Sequence, residues 1–271
     1  MKEIEASDWD TFQLKLRDLR RSLDGSSSPL LFRGVGNSQW QLTTTLERAG
    51  KQGMRFADYY RLIVTAVKPA VETFTGVEWD VPGYGSKVEN SLQGCDAIND
   101  FPGAPLYRYM VYLRHHGFPS PLLDWSHSPH VAAFFAFRDL LNGVANRSIY
   151  VFCEQPIGFK AWSSCEPRIR QIGQYVRSHQ RHFRQQSDYT ICGSFEKDEW
   201  RFHPHENVFA RDDPDQDFLW KITMPSSERI SVLKLLDEYN LNAFSLFDSE
   251  ESLMETMWLR EAILRAKEYT G

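Results

Sequence analysis

Arg33 lies at the end of a short apolar run and is followed at once by Gly34, in the stretch Leu-Leu-Phe-Arg-Gly. An arginine offers a planar guanidinium that matches the oxygen atoms of a phosphate or a carboxylate. A glycine allows a ligand or another backbone segment to approach closely. Both residues are therefore candidates for binding an anion. An ordinary ion pair between Arg33 and a nearby acid at a strand end explains the same pattern.

A second candidate stretch, residues 114–137, contains two adjacent histidines, His115 and His116, followed by Asp124, Trp125 and Ser126. The Asp124 carboxylate follows two leucines, so we expect it to be partly buried and to need partners. It either accepts backbone N–H groups and stabilises a turn, or it orients one of the histidines. A histidine here can act as a general base or face a ligand, although a single histidine is more often a hydrogen-bonded core residue.

The third candidate stretch carries Arg177, Arg181 and Arg184 together with two histidines, and it leads into Gln185. Such a basic run is typical of a solvated helix face, but it can also line a cleft that binds phosphate. The sequence contains no P-loop, no GxGxxG or GxSxG motif and no zinc-binding HExxH motif. We therefore expect no metal site.

Composition narrows the class of protein. The 271 residues are 42% hydrophobic and 25% charged, with a net charge of −5, which does not favour binding to nucleic acid or to anionic membranes through bulk charge. The four cysteines show no CxxC spacing, so we interpret them as free thiols in a reducing compartment. The polar N-terminus does not resemble a signal peptide, and no apolar run reaches the roughly 18 residues of a membrane span. These features predict a cytoplasmic protein without a membrane partner.

The elements that must position these residues form an α+β pattern. We expect a single domain with a small mixed or antiparallel sheet flanked by amphipathic helices, in which residues 1–29 supply an N-terminal helix that packs on a domain of residues 30–271. Residues 76–105 are rich in Gly, Pro, Asn and Asp and predict an ordered surface loop or an insertion. Predicted strands cover 30–33, 147–153, 188–195 and 217–225. Predicted helices cover 7–23, 56–75 with a bend near Pro69, 105–116, 128–143, 226–240 and 249–269.

In this order, the three stretches resemble the bacterial FRG-domain family, which takes its name from the Phe-Arg-Gly tripeptide. The residues that carry the resemblance are Phe32, Arg33, Gly34 and Trp40, then His115, Gly117, Pro119, Leu122, Leu123, Asp124, Trp125, Ser126 and Pro129, and finally Gln185, Tyr189 and Thr190. The chain departs from the family pattern at Arg114, where the pattern has glutamine, and at Ser120 and Pro121, where it has threonine and arginine.

The resemblance implies a function, because the family's arrangement is similar to that of ADP-ribosyltransferases. It implies an enzyme with NAD as co-substrate that transfers ADP-ribose to a protein or nucleic acid or hydrolyses NAD, as a toxin or phage-defence effector. The alternative is a non-catalytic sensor of nucleotides or nucleic acid. The implied catalytic residues are Arg33, His115, Ser126 and Gln185, and the implied cofactor-binding residues are Arg33, Gly34, His116, Asp124, Trp125 and Arg184. The resemblance singles out no catalytic glutamate, and Glu196, Glu199 and Glu206 are the candidates. A shared site requires Arg33 to lie near Asp124 or His115.

Overall fold

The structure is a computed structural model that describes residues 1–85, 92, 97–160, 166–210 and 216–264. Its strands are β1 (Lys2–Glu5), β2 (Leu31–Val35), β3 (Leu123–Ser126), β4 (Asn146–Cys153), β5 (Arg168–Gln171), β6 (Ser187–Glu196), β7 (Glu199–Phe202) and β8 (Phe218–Pro225). Its α-helices are α1 (Trp9–Ser22), α2 (Thr45–Arg48), α3 (Phe56–Leu62), α4 (Lys68–Thr75), α5 (Ala97–Asp100), α6 (Ala104–His115), α7 (Pro129–Phe137), α8 (Gln180–Arg184), α9 (His205–Phe209), α10 (Arg229–Glu238), α11 (Ala243–Phe247) and α12 (Glu250–Trp258). π-Helical turns follow α3 at Ile63–Val67 and α12 at Leu259–Leu264, and a 3₁₀ turn covers Ser226–Glu228.

The described strands form one mixed sheet in the order β1-β8-β4-β2-β3-β6-β5, with β7 paired to the far end of β6. Only the β1–β8 pair is parallel among these strands. The α+β prediction is therefore confirmed, although the sheet is larger than expected. The strands that the sequence analysis missed, β1, β3, β5 and β7, are each four residues long. Four residues are too few for a two-residue periodicity to stand out.

The core lies on both faces of this sheet, and β4 shows why. Ile149 and Val151 pack in one apolar cluster with α1, α7 and α10, while Tyr150 and Phe152 pack in another with Leu31. This is the alternation that a strand buried on both faces requires. A third cluster places α3 and α6 against β6 and β7.

The N-terminal segment contributes a strand to the sheet in addition to a helix that packs on it. Strand β1 pairs in register with β8, from Lys2 opposite Trp220 to Glu5 opposite Thr223. Helix α1 begins after Asp8, whose carboxylate accepts the Thr11 N–H at 2.8 Å, and it buries Phe12 and two leucines. The predicted helix is confirmed, and the strand before it was not predicted.

Two other helix predictions need correction in detail. The predicted helix over 56–75 is present, but it consists of α3 and α4 joined by the π-helical turn just before Pro69. The predicted helix over 128–143 ends at Phe137. The buried guanidinium of Arg147 donates to the carbonyls of Ala136 at 2.6 Å and Asp139 at 2.8 Å, so a side chain satisfies carbonyls at this helix end.

Other expectations reach partly outside the described residues. The described parts of residues 76–105 are packed, since Val81, Ile98 and Phe101 are buried beside α3 and α6. Of the four cysteines, Cys153 and Cys192 are buried free thiols, whereas positions 95 and 165 lie outside the described residues. Within the described part of the chain, none of the helices has the length and apolar character that a membrane span requires.

Candidate functional site

A cleft of about 900 Å³ opens beside β2, β3 and the start of β6. Its charged lining consists of four arginines and two aspartates, namely Arg33, Arg48, Arg114, Arg181, Asp124 and Asp139. Among the other lining residues are Trp40, His115, Trp125, Ser126, Phe135, Gln185, Tyr189 and Phe247. The cleft therefore brings together the three stretches that the sequence analysis singled out.

Arg33 projects from β2 towards the second motif. Its Nη1 donates to the backbone carbonyl of Asp124 at 2.6 Å and lies 3.8 Å from the Asp124 carboxylate. The two motifs therefore converge, as a shared site requires. Only 18% of the Arg33 side chain is exposed, and burial lowers the pKa of its guanidinium, while the Asp124 carboxylate raises it. The Nε of Arg33 is buried and has no hydrogen-bond partner among the described residues.

The Asp124 carboxylate pairs with arginines rather than with the backbone N–H groups of a turn or with a histidine. Arg114, near the end of α6, donates from Nε to one Asp124 carboxylate oxygen at 3.1 Å and from Nη2 to the other. This is the bidentate geometry that gives arginine–carboxylate pairs their strength. The hydrogen bonds to the Asp124 carboxylate among the described residues come from Arg114, so it neither stabilises a turn through backbone N–H groups nor orients a histidine. Arg114 is also the position at which the chain departs from the family pattern.

Gly34 is required by the packing of helix α7 against the opposite face of β2. A Cβ built at this position would lie 1.8 Å from the Ala132 carbonyl oxygen and 2.6 Å from the Ala136 nitrogen, both in α7. The glycine thus lets a helix backbone lie directly against the strand. Gly34 also lines the cleft. We predicted that a ligand or a backbone segment approaches this glycine closely, and in the structure the backbone of α7 does so.

His115 lies in the cleft beside Tyr189. The His115 Nε2 and the Tyr189 hydroxyl are 3.1 Å apart. Burial lowers the pKa of His115 to about 4, so its imidazole is neutral near pH 7, and burial raises the pKa of the Tyr189 phenol. A neutral imidazole can accept a proton. The neighbouring His116 is exposed, its Nδ1 lies 2.8 Å from the Tyr112 carbonyl, and it does not line the cleft.

Ser126 and Trp125 are held by hydrogen bonds within the protein. The Ser126 hydroxyl donates to the Gln185 carbonyl at 2.7 Å and accepts the Ser128 N–H at 3.0 Å, at the start of α7. The Trp125 indole donates to the Thr190 hydroxyl at 2.8 Å. Ser126 therefore positions Gln185 beside α7, and both Ser126 and Trp125 line the cleft.

Helix α8 contributes Arg181 and leaves Arg184 outside the cleft lining. Arg181 donates to the Phe247 carbonyl at 3.1 Å, and its guanidinium lies 5.6 Å from the centre of the Phe247 ring. Arg184 is half-exposed and pairs with Asp248 at 2.8 Å. Gln185 donates to the Leu246 carbonyl at 3.3 Å.

The three candidate glutamates do not line the cleft. Glu196 lies 2.8 Å from His203, Glu199 accepts from Arg55 at 2.6 Å, and Glu206 accepts the Leu42 N–H at 3.0 Å. In addition, the described residues contain no group of three or more His, Cys, Asp or Glu side chains that could hold a metal ion.

Arg48, Phe135, Asp139 and Phe247 are among the site residues that sequence reasoning missed. Arg48 hydrogen-bonds to the Thr43 carbonyl at 2.9 Å, and no described carboxylate pairs with it. Nothing in the local sequence marks Arg48 as a site residue, and Phe247, the last residue of α11, reaches the cleft from an element far from the three motifs.

Comparison with known protein families matches residues 28–143 to the FRG domain. The match covers Arg33, His115, Asp124 and Ser126, whereas Arg181, Gln185 and Phe247 complete the cleft from outside it. No curated protein and no solved structure shows significant similarity to the chain.

Proposed function

We propose that this FRG-domain protein binds a nucleotide carrying a pyrophosphate, of the NAD or ADP-ribose class, in the arginine-lined cleft. The observation that carries the proposal is the arginine-rich lining of the cleft, in which Arg33, Arg48, Arg114 and Arg181 border one concave space. A planar guanidinium matches the oxygen atoms of a phosphate and can bind two of them at once.

The charge balance of the cleft supports an anionic ligand. Its lining holds four arginines against two aspartates, and the Asp124 carboxylate already pairs with Arg114 and lies 3.8 Å from Arg33. Neither Arg48 nor Arg181 pairs with a carboxylate among the described residues. Surplus cations that border one concave site raise the local concentration of anions.

The size and the apolar lining of the cleft fit a dinucleotide. Ligand pockets for small molecules and cofactors span about 300–1,000 Å³, and this cleft measures about 900 Å³. Trp40, Phe135 and Phe247 supply aromatic surface for the uncharged parts of such a ligand.

A second candidate function is the hydrolysis of NAD, and the position of His115 in the cleft favours it. Burial lowers the pKa of His115 to about 4, which keeps the imidazole neutral near pH 7 and able to accept a proton, and makes it a weaker base than an exposed histidine. Water would attack the ribose carbon that carries nicotinamide, the carbon–nitrogen bond would break, and the proton of water would pass to His115 while nicotinamide leaves. Transfer to a protein or nucleic acid would follow the same steps with another nucleophile. Consumption of NAD would suit a toxin or a phage-defence effector, whereas binding alone would suit a sensor.

Thermal denaturation with NAD, ADP-ribose, ATP and a short RNA tests the binding proposal. A bound nucleotide should stabilise the fold by about 2.7 kcal/mol at a hundredfold excess over its Kd. Arg33→Ala should abolish this stabilisation, and Arg33→Lys should recover little of it because an ammonium lacks the planar fork. Arg184→Ala is the matched control and should keep it, since Arg184 lies outside the cleft lining.

The proposal fails if no nucleotide shifts the melting temperature of the wild type, or if Arg33→Ala is stabilised as strongly as the wild type. A shift with RNA alone would favour a nucleic-acid sensor. For the enzymatic candidate, mass spectrometry should detect nicotinamide released from NAD. His115→Gln should stop that release while binding persists, and an unchanged rate would exclude His115 as the base.

A further inference from the structure

We infer that residues 36–44 form a nucleobase subsite in which the base stacks on the indole of Trp40. This inference rests on the proposed nucleotide-binding function and names the part of the ligand that this rim of the cleft receives. Gly36, Gln39, Trp40, Gln41 and Thr43 all line the cleft.

The backbone of this segment is anchored at several points. The Ser38 N–H donates to the Asn146 carbonyl at 2.9 Å, and the Leu42 N–H donates to the Glu206 carboxylate at 3.0 Å. At Trp40 itself, the buried Tyr150 hydroxyl donates to the backbone carbonyl at 3.1 Å. These contacts hold the segment in place before any ligand arrives, which reduces the entropic cost of binding.

The exposure pattern of the segment singles out Trp40. The small residue Ser38 is 7% exposed and Leu42 is 1% exposed, so both point inward. Trp40 lies midway between them, yet it is 51% exposed. Its Cζ3 lies 3.7 Å from the position that a Cβ would take on Gly36, so the indole lies against a residue without a side chain. Within the described part of the chain, no aromatic ring or guanidinium stacks on it.

An anchored indole at the rim of a cationic cleft suits a nucleobase. Base stacking on an aromatic side chain is a recurring mode of nucleotide recognition and tolerates any base. The exposed Gln39 and Gln41, on either side of Trp40, carry amides that can both donate to and accept from the edge of a base. Arg33 and Arg48 line the same cleft, so one ligand can place its phosphates on the arginines and its base on Trp40.

Trp258 provides a matched control for Trp40. It is the last residue of α12, it is 68% exposed, and it does not line the cleft. Replacing either tryptophan removes an exposed indole, but only Trp40→Ala removes the proposed stacking surface. A general effect of losing surface apolar area would therefore appear in both variants.

The test is calorimetric titration of the full chain with ADP-ribose and with inorganic pyrophosphate, for the wild type, Trp40→Ala, Trp40→Phe and Trp258→Ala. Stacking on an aromatic residue corresponds to roughly a tenfold to hundredfold change in Kd. Trp40→Ala should weaken ADP-ribose binding by that factor and leave pyrophosphate binding unchanged. Trp40→Phe should recover most of the loss, and Trp258→Ala should match the wild type.

Parallel titrations with AMP and with nicotinamide mononucleotide check that the stacked ring is adenine, since Trp40→Ala should weaken the binding of AMP and leave that of nicotinamide mononucleotide unchanged. Tryptophan fluorescence gives an independent readout: ADP-ribose should quench the wild type and Trp258→Phe but not Trp40→Phe. The inference is overturned if Trp40→Ala binds ADP-ribose as tightly as the wild type, or if it loses pyrophosphate and ADP-ribose equally. If the wild type binds neither ligand, the proposed function itself fails.

Discussion

The adjacent residues Arg33 and Gly34 lie on opposite faces of β2, and the two faces differ in how completely the protein itself packs against them. On one face, Gly34 lies so close to α7 that even a methyl group would overlap the helix backbone. On the other, the Arg33 guanidinium is mostly buried, and its Nε finds no partner among the described residues. The backbone of α7 fills the space on the first face, whereas on the second face the Nε of Arg33 has no hydrogen-bond acceptor among the described residues. The unsatisfied donor therefore lies on the face of β2 that Arg33 presents to the cleft.

Two aspartates on the neighbouring strands β3 and β6 differ in the same way, since one is fully satisfied by the protein and the other faces the cleft. Asp188 on β6 is fully buried and accepts from the backbone N–H groups of Gly173 and Tyr189 and from the side chains of His127 and Gln171. Asp124, opposite Tyr189 in the register, has a side chain that is 34% exposed and pairs with arginines of the cleft. Asp188 is therefore a structural carboxylate, while Asp124 belongs to the cleft.

The largest effect is expected for Gly34→Ala. The added Cβ would lie 1.8 Å from the Ala132 carbonyl oxygen, so α7 must move away from β2. We expect a loss of at least about 3 kcal/mol in the free energy of unfolding, measured by urea denaturation. Gly83→Ala is the control, because a Cβ there has no atom within 4 Å. A Gly34→Ala variant as stable as the wild type would contradict the close packing of this face.

Asp188→Asn should cost somewhat less, about 2–3 kcal/mol, because a buried carboxylate with four donors loses its charge. Each carboxylate oxygen accepts two of these hydrogen bonds, so the amide NH₂ of asparagine must face two donors in either orientation. Urea denaturation of Asp188→Asn and Asp124→Asn side by side measures the difference. If Asp124→Asn were the more damaging variant, the assignment of the two aspartates would be reversed.

The pH dependence of stability separates buried histidines from exposed ones. The pKa of His115 is lowered to about 4 and that of His205 to about 3, both by burial, from an ordinary value of 6.5. Between about pH 6.5 and 4, the unfolded chain binds protons that the folded chain does not bind, so stability falls as the pH falls. The slope should be about 1.4 kcal/mol per pH unit for each histidine.

Denaturation at a series of pH values checks this expectation. His115→Gln should reduce the slope in that window, whereas the exposed His116→Gln provides the control. Below about pH 4, the folded protein also protonates His115, so that residue should contribute no further slope. A slope that is the same for the wild type and His115→Gln would show that the His115 imidazole is not buried as described.

The smallest effects concern the cleft. Asp124→Asn should cost about 1–3 kcal/mol, because it weakens the charged hydrogen bonds from Arg114 and leaves Arg33 and Arg114 without the charge between them. Arg33→Ala should cost less, since it also removes a buried cation with an unsatisfied Nε. Thermal midpoints of the two variants without ligand test the order, and equal or reversed losses would make Arg33 a structural residue.

The main residues of the site could be predicted from the sequence because they lie in motifs whose residue types stand out from their neighbours. Arg33, His115, Ser126 and Gln185 could be named from residue type and position, and the structure places all four in one cleft. The pairing of Asp124 with Arg114 was not predicted. Arg114 precedes Asp124 by ten residues and lies on another element, and only the turn between α6 and β3 brings the two side chains together. Arg48 carried no signal of its own.

By itself, the sequence determined the α+β class and the longer strands and helices, because apolar periodicity and capping residues act over a few neighbouring positions. The tertiary structure decided which polar groups find partners. Ser126 and Asp188 are satisfied by residues that are distant in the chain, and Gly34 is required by a helix that begins 95 positions later. Hydrogen bonding and close packing depend on which elements meet in space. For that reason, the donor left over at Arg33 became visible only in the folded chain.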